Sequence, residues 1–233
     1  KDYYSSRFVI DQMMRYIGAH RGGRQPFFAS INFLANHIPI QAPDADLVRY
    51  RGQYEQGWDA LRRERARRAV QLGLMPADLR FIRMDTTKDW AGLSDKQRRR
   101  AVGEMQAYAA MATALDREVG RLVDYLKSIG EYENSIIVFL SDNGAEPLDP
   151  YSRLRNRLVL GMQVDRGIAH IGQRGTMDAI GPSWASAASS PLRGYKFSAT
   201  EGGLRVPMFV HWAGAPSAVP QGRIVQGFAH VID

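Results

Sequence analysis

The chain has 233 residues, 45% of them hydrophobic, with 31 Lys and Arg against 24 Asp and Glu and no cysteine. That length and apolar share suffice for one large core or two modest ones, and the missing cysteine excludes disulfides and any thiolate metal site. No apolar run approaches the ~20 residues of a membrane-spanning helix, and Lys1-Asp2-Tyr3-Tyr4 carries no signal-peptide pattern.

Much of the formal charge of +7 sits in Arg62, Arg63, Arg65, Arg67 and Arg68 and in Arg98, Arg99 and Arg100. Glu64 interrupts the first cluster, and the spacing fits the wet face of a helix. No nucleic-acid motif accompanies either cluster, so no nucleic-acid partner is expected. A positive field would still draw anionic substrates toward a cleft.

In chain order, Phe8, Ile10, Met13, Met14 and Ile17 recur at near-helical spacing and predict a helix over residues 5–19, ended by Arg21-Gly22-Gly23. Residues 26–34, with Phe27, Phe28, Ile31 and Phe33, read as a buried strand. The strand runs into Asn36-His37-Ile38-Pro39, where two prolines within five residues (Pro39 and Pro43) forbid helix or central strand. Residues 44–93 are irregular, with a helical piece over 58–72. Ser94-Asp95-Lys96-Gln97 has the capping-box pattern. The apolar series Val102, Met105, Ala109, Ala112, Leu115, Val119, Leu122, Leu126 and Ile129 then predicts a long amphipathic helix stopped by Gly130.

That helix leads into Ile136-Ile137-Val138-Phe139-Leu140, a strand expected to be buried on both faces. It closes on Ser141-Asp142-Asn143-Gly144, which delivers a carboxylate and a carboxamide to the strand's carboxyl end. Two neighbouring oxygen donors suit Ca²⁺ or Mg²⁺. Asp-Asn-Gly is equally ordinary turn chemistry. Residues 147–190 are polar and glycine-rich and read as a surface excursion. A third strand is expected over 206–210, after Lys196 and the loop Thr200-Glu201-Gly202-Gly203.

Three segments together resemble the sulfatases of the alkaline-phosphatase-like superfamily. They are Pro26-Phe27-Phe28 through Asn36-His37-Ile38-Pro39, then Phe139-Leu140-Ser141-Asp142-Asn143-Gly144-Ala145-Glu146, then Arg193-Gly194-Tyr195-Lys196 through Glu201-Gly202-Gly203-Leu204-Arg205-Val206-Pro207. Gly57-Trp58-Asp59-Ala60-Leu61-Arg62 and Tyr195-Lys196-Phe197 are closer still to the bacterial aryl/alkyl sulfatase branch. The resemblance implies an α/β fold, a three-layer sandwich whose mainly parallel sheet has helices on both faces. It implies that Asp142 and Asn143 ligate one divalent cation, Ca²⁺ or else Mg²⁺, and that His37 and Lys196 contact the sulfate of a small anionic ester. An imidazolium there would protonate the departing oxygen, and an ammonium would stabilise the sulfuryl oxygens.

Asn36 stands where the family usually has Pro. Glu201 and Arg205 are expected to fix their loop, and His20, His170, His211 and His230 to be structural. The family's nucleophile is a formylglycine made from Cys or Ser in a Cys/Ser-x-Pro/Ala-x-Arg motif, and no such motif occurs here. The chain therefore reads as an internal part of a single catalytic domain. Formylglycine, the machinery that makes it and the aspartate pair completing the metal site are expected outside this segment. Phe228-Ala229-His230-Val231-Ile232-Asp233 reads as the start of a further family element. Two other readings stay open: a phosphoryl or phosphonate monoester hydrolase of the same superfamily, and a non-catalytic homologue.

Overall fold

The structure is a computed structural model that describes residues 3–20, 25–152, 154–165, 167–219, 221–225 and 227. Its elements are α1 (Ser5–Ala19), α2 (Asp44–Arg49), α3 (Gly57–Gln71), α4 (Asp95–Ser128), β1 (Ile136–Leu140), α5 (Leu154–Gln163), α6 (Gly181–Ala188), α7 (Glu201–Leu204) and β2 (Met208–Trp212), with a 3₁₀ turn at Ile168–His170. The glycines expected to end α1, and His230 with the terminal segment, lie outside the described residues.

Helix α4 is the spine. Its start is fixed as the sequence predicts: the Ser94 side chain accepts from Gln97 N while the Gln97 side chain accepts from Ser94 N, a complete capping box. Gly130, at φ +76°, turns the chain away just past its end. One side of α4 buries Ala101, Met105, Ala107, Ala110 and Met111. Helix α6 packs against α3, and its Trp184 reaches α4, donating its indole N–H to the carbonyl of Ala101 at 2.8 Å. Trp58, Trp90 and Trp184 meet edge to face, with ring centroids 4.7–5.9 Å apart. No helix among the described residues is long and apolar enough to cross a membrane.

Helices α1 and α2 pack on α4 as well. Glu118 is buried there and accepts from Arg121 at 2.5 Å, with Arg7 and Arg117 3.7 and 3.8 Å away. Arg117 reaches on to Asp46 of α2 in a two-pronged contact of 2.6 and 2.9 Å. Three guanidiniums around one carboxylate offset its loss of water.

Three expectations are corrected. First, β1 and β2 pair antiparallel, Ile136 opposite Trp212 and Leu140 opposite Met208, as the two-stranded sheet of the described residues. Residues 27–34 form no strand and take no part in the sheet of the described residues, and Phe28 is 94% exposed. Apolar composition alone does not make a strand, because pairing depends on a partner edge that composition does not specify. A two-stranded ribbon cannot bury both faces, and Ile136 and Val138 remain exposed. Second, the 147–190 stretch is no surface excursion throughout, because α6 supplies Trp184, Ala185 and Ala187 to the core. Third, Arg62 does not belong to a solvated face. It is 1% exposed and donates to the carbonyls of Ser186 and Ile82, both at 2.8 Å.

Glu104 of α4 is a largely buried carboxyl, its side chain 19% exposed, pushed up to about 8 chiefly by loss of water and partly offset by Arg100. Its pKa in the unfolded chain lies near 4.5. Between those values the folded state holds a proton that the unfolded state releases, so stability falls as pH rises through that window. Glu104→Gln is expected to match the parent near pH 4.5 and to exceed it by more than about 1 kcal/mol above pH 8, the worth of one pKa unit. Thermal unfolding at the two pH values checks it.

Candidate active site

The site forms where the carboxyl end of β1 crosses the loop that precedes β2. Ser141 N donates to Pro207 O at 3.3 Å, Gly144 N to Gly203 O at 3.2 Å, and Lys196 N to Ala145 O at 3.1 Å. Glycine permits this approach. A Cβ on Gly144 would lie 1.9 Å from Gly202 O, and one on Gly202 would lie 2.2 Å from Gly194 O. Gly194 itself is at φ +83°, in the left-handed region. Tyr195 ties this loop outward, its hydroxyl donating to Thr86 Oγ1 at 2.7 Å.

His37 comes from the other side. Ile40 N donates to Asp178 O at 3.0 Å and Ala42 N to Gly172 O at 2.9 Å, which lays residues 40–42 along the segment before α6. Asn36, which replaces the family's usual Pro, donates its side-chain amide to Tyr108 O of α4 at 3.3 Å. The loop thus has a polar tether where a ring was expected. His37 Nδ1 faces the carbonyl of Ile38 at 2.8 Å, and a carbonyl only accepts, so Nδ1 carries the hydrogen. Nε2 is left to face the site.

There the two predicted residues meet. Lys196 Nζ donates toward His37 Nε2 at 3.2 Å. Glu146, for which the sequence offered a place in a motif but no role, joins them, with Oε2 2.8 Å from Lys196 Nζ and 3.5 Å from His37 Nε2. Lys196 Nζ also lies 5.3 Å from the centroid of the Phe197 ring. A carboxylate six residues beyond a buried-type strand was the available sequence signal, since such a group needs a cation nearby.

Asp142 and Asn143 sit at the turn that leaves β1, with Asp142 exposed and the Ser141 hydroxyl donating to Asn143 O at 2.9 Å. Among the described residues neither side chain makes a hydrogen bond or ion pair, and no group of three or more His, Asp or Glu is arranged to hold a metal. Two uncommitted hard oxygen donors fit Ca²⁺ or Mg²⁺ by chemistry and fall short of the roughly six to eight ligands Ca²⁺ takes. The other described histidines have partners of their own: His20 Nδ1 faces Tyr16 O at 2.8 Å, His211 Nε2 meets Tyr132 Oη at 2.7 Å, and His170 pairs with Asp165. Arg205 reaches Glu201 at 3.6 Å across α7.

The chain matches the Sulfatase family over residues 1–233. It is 35% identical to an uncharacterized sulfatase of Schizosaccharomyces pombe over 237 residues, covering 100% of this chain and 42% of that protein. It is 34% identical to an arylsulfatase of Klebsiella aerogenes over 214 residues, 91% of this chain and 46% of the relative. A solved structure, Ps i-CgsB in complex with k-i-k-neocarrahexaose, superposes with a TM-score of 0.49 at 23% identity, over 95% of this chain and 30% of its own. The chain belongs to the sulfatase family, and with the family comes its alkaline-phosphatase-like α/β fold, of which these helices and this sheet are a part. It spans a little under half the length of these two relatives.

Gly202→Ala places a methyl group against a carbonyl that cannot retreat without moving Lys196. Overpacking of this kind costs about 1–3 kcal/mol. A lowered thermal midpoint together with lost activity is expected, and a variant that keeps both would show that the crossing tolerates a side chain.

Proposed function

We propose that the protein is a sulfuric ester hydrolase acting on aryl or alkyl sulfates. The observation that carries this reading is the 3.2 Å contact between His37 and Lys196, brought from 159 positions apart to the end of β1 in a chain of the sulfatase family. Lys196 presents a compact positive charge with which sulfuryl oxygens would pair. His37, with Nδ1 fixed on the Ile38 carbonyl, turns Nε2 to the same place. In its imidazolium form that nitrogen would give its proton to the departing alkoxide or phenoxide oxygen. Asp142 and Asn143 would hold a Ca²⁺ or Mg²⁺ ion with further ligands from outside this chain. When bound, such an ion supplies a Lewis acid for a non-bridging sulfate oxygen. The nucleophile, a formylglycine, and the machinery that makes it would likewise come from outside the chain, which has no cysteine and no modification motif.

Removal of His37 should hurt most where the leaving oxygen is basic, because a nitrophenolate departs unaided. His37→Ala is expected to lose about 10²–10⁴ in kcat/KM on poor leaving groups and much less on good ones. Lys196→Ala should lose evenly across the series, since sulfuryl oxygens are common to every substrate. The measurement is kcat/KM for aryl sulfates graded by phenol pKa, run in the full-length protein. Parallel lines for the parent and His37→Ala would refute the acid role, and faster turnover of the matching phosphate monoesters would refute the substrate class.

A further inference from the structure

We infer that Glu146 is a positioning residue for the site, a buried carboxylate that clamps the Lys196 ammonium and the His37 imidazole in one fixed arrangement. This deepens the sulfatase reading and rests on it for its catalytic consequence.

Both oxygens of Glu146 are committed. Oε1 accepts from Leu148 N at 3.1 Å, which locks the carboxylate to its own turn. Oε2 accepts from Lys196 at 2.8 Å and faces His37 Nε2 at 3.5 Å. The backbone repeats the tie one residue earlier, where Lys196 N donates to Ala145 O at 3.1 Å. Lys196 is therefore held at both ends, its backbone by Ala145 and its ammonium by Glu146, and its flexible stem spans two anchored points.

Burial makes the clamp matter. The Glu146 side chain is 9% exposed and that of Lys196 19%, whereas His37 is 53% exposed. Ile38, Ile40, Tyr108, Ala179 and Ile180 wall the narrow void beside Glu146, so little water is at hand to replace a lost partner. Without the carboxylate, the ammonium and a protonated imidazole would stand 3.2 Å apart with nothing between them to offset their repulsion. With it, the ammonium and the imidazole are held against one carboxylate oxygen. Glu146 touches no substrate in this arrangement; it acts through the two residues it holds.

The first test needs no turnover. The full-length protein and its Glu146→Gln variant are treated with acetic anhydride, and acylation of Lys196 is followed by mass spectrometry against the exposed Lys88, Lys96 and Lys127. Lys196 should acylate severalfold faster in the variant while the other three stay unchanged, and Glu146→Asp, which keeps the charge, should restore most of the protection. An unchanged Lys196 rate overturns the clamp, and equal acceleration at all four lysines overturns it by showing a general loosening. The second test is a double-mutant cycle in kcat/KM on an aryl sulfate. Glu146→Gln alone should lose about 10–100-fold, the usual worth of a supporting partner. Combined with Lys196→Ala, the loss should fall well short of the product of the two single losses; losses that multiply would make Glu146 merely structural. A protein that turns over no sulfate ester yet shows selective Lys196 acceleration keeps the clamp and removes the proposed function. An active protein without the acceleration does the reverse.

Discussion

The site depends on one backbone crossing. Where β1 ends, residues 141–146 pass so close to residues 193–207 that the Gly202 carbonyl occupies the space a side chain would need at Gly144, while within the 193–207 loop the carbonyls of Gly194 and Ser198 do the same at Gly202 and Gly203. Three backbone hydrogen bonds, from Ser141, Gly144 and Lys196, then fix the register of the crossing. Register is what matters chemically. It puts Glu146 and Lys196 side by side, and it leaves the oxygens of Asp142 and Asn143 at the open end of the strand. A loop with ordinary residues in place of these glycines would hold the same groups a methyl's width further apart, enough to break contacts of 2.8–3.2 Å.

The rest of the described chain holds that crossing and the His37 loop against one support. Helix α4 carries the aromatic core on one side and gives the carbonyl of Tyr108 to Asn36. Helix α6 packs on the same core through Trp184, and the segment just before it lines up residues 40–42. His37 and Lys196 are thus referred to a common framework rather than to two independent loops. This arrangement suits the proposed sulfate site, in which a proton donor and an anion binder would have to face the same few ångströms of space.

How far the sequence reveals this varies with the range of the interaction. Helices α1 and α4 were legible because their signals are local: an apolar period for each, a capping box for Ser94 and Gln97, and a glycine stop at 130. His37 and Lys196 were legible through motif resemblance, which compresses long-range geometry into short strings. Glu146 stood in one of those strings, yet nothing local says that a carboxylate there meets a lysine 50 positions on. The burial of Arg62 was hidden for the same reason, since its acceptor at Ser186 lies 124 positions away. Helix α6, with serine and alanine around a single tryptophan, has too little contrast for a periodic reading, and this small-residue helix turned out to pack against α3. Strand pairing failed similarly: residues 27–34 have strand composition, but the edge they would need is not set by their own sequence.

The central claim is that side chains from three distant segments form one sulfate-binding centre. A crystal structure of the full-length protein with a bound sulfate ester or sulfate ion tests it most directly. The account predicts that one sulfate is contacted by both His37 Nε2 and Lys196 Nζ, with Glu146 still paired to Lys196 behind it and Asp142 and Asn143 beside it at the end of β1. A sulfate held elsewhere, with His37 and Lys196 turned away from each other, would contradict it.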